Sequence, residues 1–152
     1  MTPESARQKI VRYCAYQERS HRQVKEKLYG YGLWKSQVDE IIAYLIEEKF
    51  LNEERFARTF AGGKFRIKKW GKIKITRGLE SHGLSSNCIK LGLSEIDKED
   101  YQKTLKTLLR KKMSEIGTSN PYVLKHQLSQ FLIRKGFEPD LVWREINAIM
   151  PD

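Results

Sequence analysis

Residues 24–45 read VKEKLYGYGLWKSQVDEIIAYL, and the apolar positions of this stretch return twice more along the chain. Counted from Gly32, aliphatic residues stand eight and four positions before it and six, ten and thirteen positions after it. The same offsets counted from Gly83 and from Gly136 again give only Val, Ile or Leu. Self-similarity at a period of about fifty residues indicates tandem structural repeats, each of them one supersecondary unit.

Each copy predicts two helices that meet at the glycine. The two offsets before the glycine share one helix face, and the three offsets after it share one face of a second helix. The glycine itself stands where a left-handed C-cap needs a residue without Cβ. With a further helix before each pair, the sequence predicts an all-α protein of three tandem three-helix repeats that form an elongated, curved array. The predicted boundaries are 1–51, 52–97 and 98–152.

Three local patterns in this prediction need a structural test. The third helix carries a wide stripe predicted to face the core: Val38, Ile41, Ile42, Leu45 and Ile46. Gly62-Gly63 lies inside a predicted helix and indicates a kink or a close approach of another backbone. The segment KIKIT at 72–76 alternates as a β-strand would, but the repeat register places Ile75 at the helical position of Val24. We therefore predict a helix there.

Composition and charge restrict the class of protein. No apolar run approaches the eighteen or so residues that a membrane-spanning helix needs, and the first residues lack a signal-peptide core, so we expect a cytoplasmic protein. Cys14 and Cys88 lie far apart on predicted apolar faces, and we interpret them as reduced, buried thiols. The net charge is +10, and half of this excess lies in residues 52–99.

One basic segment dominates the charge pattern. Between Thr59 and Leu79 the chain contains seven basic residues and no acidic one. Such a segment either lies on an ordinary solvated helix face or forms a binding face for a polyanion or an acidic protein. The lack of interspersed acids favours the binding face. Trp70, in its middle, either stacks on a base or a partner or closes the helix onto the core, and Arg134-Lys135 forms a smaller basic cluster.

Catalysis and sequence-specific DNA reading are both disfavoured. His21, His82 and His126 have no metal-ligand spacing with the cysteines, and no Gly-rich phosphate loop occurs, so we expect no enzyme, metal or cofactor. Each glycine-centred helix pair is also compatible with a helix-turn-helix motif, whose second helix reads the major groove. Two of the three candidate reading helices carry acidic residues at the reading positions, Asp39-Glu40 and Asp140, which DNA phosphates would repel.

Three further stretches resemble the RecX family, the bacterial regulators of the RecA recombinase. FLNEERFA at 50–57 is similar to the family's (F/Y)LDDERFA, although Asn52 and Glu53 replace the usual Asp-Asp. FLIRKGF at 131–137 resembles the family's FLxRRGF. The family's R…KG…I…L…KGI pattern matches a third set: Arg66, Gly71-Lys72, Ile75, Leu79 and Gly83-Leu84. The resemblance covers nearly the whole chain.

The resemblance implies a non-catalytic modulator of RecA. It implies binding in the groove of the RecA–DNA filament and limits on filament growth, strand exchange, ATPase and co-protease activity. We expect a monomer that contacts RecA and DNA phosphates, with no membrane partner. The alternative is a non-specific nucleic-acid-binding protein that acts through the same basic face. The predicted face consists of Lys64, Arg66, Lys68, Lys69, Trp70, Lys72, Lys74, Arg77, Arg134 and Lys135.

Overall fold

The computed structural model describes residues 1–151, which form nine α-helices, one π-helical turn and no β-strand. In chain order the helices are α1 (Pro3–Tyr16), α2 (His21–Gly30), α3 (Lys35–Glu47), α4 (Glu53–Gly63), α5 (Lys72–Ser81), α6 (Ser86–Leu93), α7 (Lys98–Glu115), α8 (Pro121–Arg134) and α9 (Pro139–Ile149). The π-helical turn, Lys64–Lys68, continues directly from α4. The predicted all-α class is confirmed, and the strand-like segment 72–76 begins helix α5.

Polar side chains begin several of these helices. The Ser20 hydroxyl accepts a hydrogen bond from the backbone N–H of Gln23 at 3.1 Å, and the Gln23 side chain accepts one from Ser20 N–H at 2.9 Å. This reciprocal pair is a capping box, which satisfies two backbone donors at the helix start. The Asn52 side chain accepts from Arg55 N–H at 2.8 Å and starts α4 in the same way.

The repeated glycines end helices α2, α5 and α8 with left-handed backbone. Their φ angles are +85° at Gly32, +78° at Gly83 and +103° at Gly136. After Gly83 and Gly136 the next backbone N–H reaches back five residues, as Leu84 donates to Leu79 O at 3.3 Å and Phe137 donates to Leu132 O at 3.2 Å. This is the Schellman arrangement, in which a glycine avoids the steric penalty of a Cβ. The repeat in the sequence therefore marks three helices that each end at a glycine with left-handed backbone.

The repeated aliphatic positions form the core, with two exceptions. All but two of the fifteen are buried; Leu93 is half-buried and Ile149 is exposed. The prediction for Ile46 was wrong, because its side chain is 46% exposed. Ile46 follows buried Leu45 by one residue, which rotates it about 100° away on a helix, at the edge of the core-facing stripe. Cys14 is buried as predicted, but Cys88 is only half-buried.

The chain divides into two compact units, and the first contains residues 1–60 and 79–92. Within it, helices α1, α2 and α3 contact one another around an apolar core. Helix α6 approaches α4 closely, since a Cβ on Gly92 would lie 2.7 Å from the carbonyl oxygen of Ala57. An ion pair of 2.7 Å between Arg55 Nε and Glu18 Oε2 connects the start of α4 to the link between α1 and α2.

The second unit contains residues 61–78 and the chain from 93 onward. Helices α7, α8 and α9 contact one another in this unit. A row of aromatic rings runs through it, with 5.8 Å between the centroids of Phe65 and Tyr101 and 5.2 Å between those of Tyr101 and Phe137. The predicted middle repeat thus contributes residues to both units, and the repeat boundaries at 51/52 and 97/98 stay a prediction.

Candidate partner-binding surface

The basic segment between Thr59 and Leu79 is helical at both ends and has a short link in its middle. It contains the end of α4, the π-helical turn, the link 69–71 and most of α5. Lys69 ends the π-helical turn with left-handed backbone, at φ +60°. At Gly62-Gly63, the atoms nearest to a Cβ on Gly62 belong to the Arg66 guanidinium, the first at 2.9 Å, and a Cβ on Gly63 would meet nothing within 4 Å. Helical backbone therefore continues through Gly63 into the π-helical turn and ends at Lys69.

Backbone hydrogen bonds join this segment to the second basic cluster, Arg134-Lys135. Gly71 N–H donates to the carbonyl oxygen of Lys135 at 2.8 Å, and Ile73 N–H donates to that of Gly136 at 2.9 Å. A Cβ on Gly71 would overlap the backbone at Gly136 and Phe137, so only glycine allows this approach. Two clusters that are separated in sequence therefore form one surface within the second unit. We call the ten predicted residues together with this junction the basic surface.

The electrostatics of the basic surface reflect this crowding of positive charge. The Lys135 ammonium donates to the carbonyl oxygen of Lys68 at 2.8 Å. Burial lowers the pKa of Lys135, and the neighbouring ammonium groups of Lys74 and Lys68 lower it further. A lowered pKa means that the charged form is disfavoured, and a bound anion would relieve this repulsion.

Trp70 is half-buried and organises two lysines of the surface. The Lys64 ammonium lies 5.0 Å from the indole ring centroid and the Lys74 ammonium 4.6 Å from it. Both distances fall within the range of a cation–π attraction. The ring therefore fixes the positions of two ammonium groups and lies partly in the core.

Lys72 contacts Tyr101, a residue that sequence reasoning did not assign to the surface. The Lys72 backbone N–H donates to the Tyr101 hydroxyl oxygen at 2.9 Å, and its ammonium lies 4.9 Å from the ring centroid. The Tyr101 hydroxyl donates in turn to the Glu138 carboxylate. Burial raises the pKa of Tyr101, and the hydrogen bond to Glu138 raises it further. Tyr101 thus stays a neutral donor that fixes the start of α5.

Some of the ten predicted residues contact one another, and others are exposed. Direct contacts bring together Lys64, Lys68, Trp70, Lys74 and Lys135. The Lys69 ammonium, by contrast, bonds the carbonyl oxygen of Arg66 at 2.8 Å, which places a cation at the carbonyl end of the π-helical turn. In the described part of the chain, five exposed members have no carboxylate within 4.0 Å: Arg66, Lys68, Lys69, Arg77 and Arg134.

Two exposed isoleucines lie next to basic residues of the surface and were not predicted; the basic surface is taken to include them from here on. Ile67 lies in the π-helical turn between Arg66 and Lys68, and its side chain is 78% exposed. Ile133 immediately precedes Arg134 and is 38% exposed. The signal in the sequence was an isoleucine beside two basic residues in each segment, RIK at 66–68 and IRK at 133–135.

Two further findings concern metal-ligating groups and helix length. Among residues 1–151, no group of three or more His, Cys, Asp or Glu side chains could hold a metal ion. Across the same residues, none of the helices combines the length and apolar character needed to traverse a lipid bilayer.

Comparisons with known proteins match both units of the chain. Family models match at residues 52–93, the RecX second three-helix domain, and at 99–146, the RecX third three-helix domain. The crystal structure of RecX from Lactobacillus salivarius superposes with a TM-score of 0.87 at 20% identity, covering 97% of this chain and 96% of that one. A crystal structure of regulatory protein RecX gives 0.85 at 19% identity, covering 96% of this chain and 71% of that one. These two likenesses show the fold.

Curated relatives carry the name "Regulatory protein RecX". The protein of Bacillus mycoides (strain KBAB4) is 24% identical over 87% of this chain and 49% of its own length. That of Clostridium perfringens (strain 13 / Type A) is 30% identical over 80% of this chain and 58% of its own length. The chain thus spans about half the length of these relatives. The two matching domain models, the named relatives and the shared fold establish that the chain belongs to the RecX family of regulatory proteins.

Proposed function

We propose that the protein regulates the RecA recombinase by binding in the groove of the RecA–DNA filament. There it limits filament growth, and with it strand exchange, ATPase and co-protease activity. Membership of a family of regulatory proteins supports a regulatory role, and RecA as the partner comes from the resemblance of the sequence. The proposed form is a cytoplasmic monomer.

One observation carries the proposal: the joining of two basic segments into one surface. Gly71 and Ile73 bond the carbonyl oxygens of Lys135 and Gly136, so basic groups from two helices and a π-helical turn lie together. A RecA–DNA filament offers phosphates and acidic protein side chains, and a concentrated positive field attracts both. Burial is the main cause of the lowered pKa of Lys135, and the positive charges of Lys74 and Lys68, which lower it further, add support for such a field.

Within this proposal the basic residues have two kinds of role. Of the exposed groups without a carboxylate partner in the described chain, Lys69 bonds the Arg66 carbonyl, and we assign direct contact with the filament to the other four: Arg66, Lys68, Arg77 and Arg134. We assign the positioning of the surface to Trp70, Lys69, Lys72 and Lys135, because their polar groups or rings bind neighbouring parts of the protein. Lys64 and Lys74 belong to both groups through their contact with Trp70.

A co-sedimentation experiment tests the partner. The protein is mixed with RecA filaments assembled on single-stranded DNA, and separately with the same DNA without RecA, at physiological salt. The proposal predicts strong pelleting with filaments and weak pelleting with DNA alone. Equal binding to both would reject RecA as the determining partner.

Charge reversal tests the surface. The triple variant Arg66→Glu, Lys68→Glu, Arg134→Glu is expected to weaken filament binding by at least about a hundredfold, since each lost contact is worth about 1 kcal/mol and repulsion is added. The matched control reverses three exposed basic residues of α7, Lys103, Lys106 and Arg110, which changes the net charge equally. An equal loss in both variants would show that net charge, and not this surface, governs binding. Circular dichroism checks that both variants keep their helix content.

The second candidate function is non-specific binding to nucleic acid. The lack of acidic residues between Thr59 and Leu79 favours it, because phosphates are bound through such basic stretches. In that case log K for naked DNA falls by about 0.7 to 0.9 per phosphate contact for each tenfold rise in salt. A steep dependence, with no gain in affinity from added RecA, would replace the first proposal by this one.

A further inference from the structure

The basic surface contains apolar side chains that phosphate recognition does not require. Ile67 is 78% exposed between two exposed basic residues, Arg66 and Lys68. Ile133 is 38% exposed beside Arg134. Single exposed isoleucines are ordinary on protein surfaces. Here two of them occur in the two segments that the Gly71–Lys135 hydrogen bond joins.

The local backbone presents Ile67 in an unusual way. The helix changes from α to π at Lys64, and π-helical turns occur mostly as short segments at functional sites. Phe65, two residues earlier, is buried and contacts Tyr101, so the turn is anchored on one side and presents Ile67 on the other. An exposed side chain on an anchored turn loses little further freedom on binding.

The aromatic residue of the surface does not supply the apolar contact. Trp70 is half-buried and already has the Lys64 and Lys74 ammonium groups within 5.0 Å of its ring centroid. Two cations beside a half-buried ring leave Trp70 with less free apolar surface than Ile67, which is 78% exposed. Ile67 is therefore the most accessible apolar group of the basic surface.

We infer, on the basis of the function proposed above, that Ile67 is an apolar anchor and that the basic surface binds an acidic protein face with exposed apolar side chains. Protein interfaces combine an apolar centre with a polar rim, and Ile67 with its basic neighbours provides both. A phosphate backbone offers no apolar partner for Ile67. We assign the contact made through this surface to RecA protein; insertion of Ile67 between DNA bases is the other outcome, which the oligo(dT) measurement below distinguishes.

The test uses the full chain with a single substitution. Ile67→Ser is expected to weaken binding to RecA filaments about tenfold, as the loss of one buried aliphatic side chain predicts. Binding of the same variant to a RecA-free oligo(dT) strand should be unchanged, because no phosphate contact is removed. The matched control is Ile46→Ser, an isoleucine that is 46% exposed between Leu45 and the acidic pair Glu47-Glu48. It should leave both affinities unchanged.

Each contrary result has a distinct meaning. If Ile67→Ser binds filaments as tightly as the unaltered protein while the charge-reversed triple variant does not, Ile67 is not an anchor and the proposed function stands. If Ile67→Ser weakens filament and oligo(dT) binding equally, the surface contacts DNA and the inference is overturned. If the unaltered protein does not bind filaments, the proposed function and the inference fail together. Thermal unfolding should be nearly the same for all variants, because the replaced side chains are exposed.

Discussion

The first and last glycine turns of the chain obey the same sequence pattern, but they are bound to the protein differently. We compare residues 28–34, the Gly32 turn, with residues 132–138, the Gly136 turn. Both glycines have positive φ, and both are followed by a buried apolar residue, Leu33 or Phe137. A Cβ on Gly32 would meet no described atom within 4 Å outside its chain neighbours, whereas one on Gly136 would lie 2.8 Å from the backbone nitrogen of Lys74.

The residue two positions after each glycine shows the same difference. Trp34 follows Gly32 and is 75% exposed. Glu138 follows Gly136 and accepts the hydrogen bond of the buried Tyr101 hydroxyl. The repeat pattern therefore specifies how a helix ends, and contacts from other helices give one of these ends a second role. That second role is to hold the two halves of the basic surface together.

The largest expected effect is that of Gly136→Ala. The substitution places a Cβ on a left-handed residue and also against the Lys74 backbone, so we expect a loss of about 3 kcal/mol or more in the free energy of unfolding. The measurement is urea-induced unfolding followed by circular dichroism. A loss similar to that of Gly32→Ala would mean that the Gly136 turn is no more constrained than its counterpart.

Tyr101→Phe should have an intermediate effect. Removing the hydroxyl leaves the Lys72 N–H and the Glu138 carboxylate without this partner, which should cost about 2 kcal/mol. Trp34→Ser, at the exposed counterpart of Glu138, is the control and should change stability by less than about 0.5 kcal/mol. Equal losses would show that the hydroxyl bridge adds nothing to the Gly136 turn.

Tyr101→Phe and the unaltered protein should also differ in how their unfolding free energy changes in alkaline solution. Because the pKa of Tyr101 is raised in the native state, folding retains a proton that the unfolded chain releases above about pH 10. The stabilisation is therefore complete below that pH and is lost as the pH rises further. Tyr101→Phe lacks this contribution, so its unfolding free energy should fall less steeply than that of the unaltered protein between about pH 9 and 11.

Among Gly136→Ala, Tyr101→Phe and Gly32→Ala, the smallest loss of stability is expected for Gly32→Ala. Gly32→Ala meets no steric overlap and should lose only about 1 kcal/mol, the penalty of a Cβ in left-handed backbone. Gly30→Ala, two residues earlier, is the matched control. Gly30 lies within α2 and has open space around it, so alanine should stabilise the protein by about 0.5 kcal/mol. Identical effects at the two positions would remove the special role of Gly32.

Sequence reasoning succeeded where the signal was local. Helix starts at Ser20 and Asn52 follow from side chains that bond backbone within three residues, and the repeated glycines follow from helix-end geometry. All but two of the fifteen repeated aliphatic positions are buried, as their period predicted. It also assigned 72–76 to a helix against the local alternation of its side chains.

The candidate surface was predictable as a set of residues but not as an arrangement. The basic segment and Arg134-Lys135 are both visible in the sequence, yet no local pattern indicates that Gly71 lies against Gly136. The Tyr101 hydroxyl and the exposure of Ile67 also depend on contacts between distant segments and on a π-helical turn. Such features arise from packing between elements, which periodicity does not describe.

The division of the middle helices between two compact units affects how the protein can be dissected. The chain passes from one unit to the other after residues 60, 78 and 92. A single cut at 51/52 therefore divides the first unit, and a single cut at 97/98 leaves the first unit whole but divides the second. A fragment that ends at residue 97 would lack Tyr101 and Gly136, and with them the neighbours of Phe65 and Gly71. Minimal fragments designed on repeat boundaries should consequently be open to proteases at 61–78, however well their first sixty residues fold.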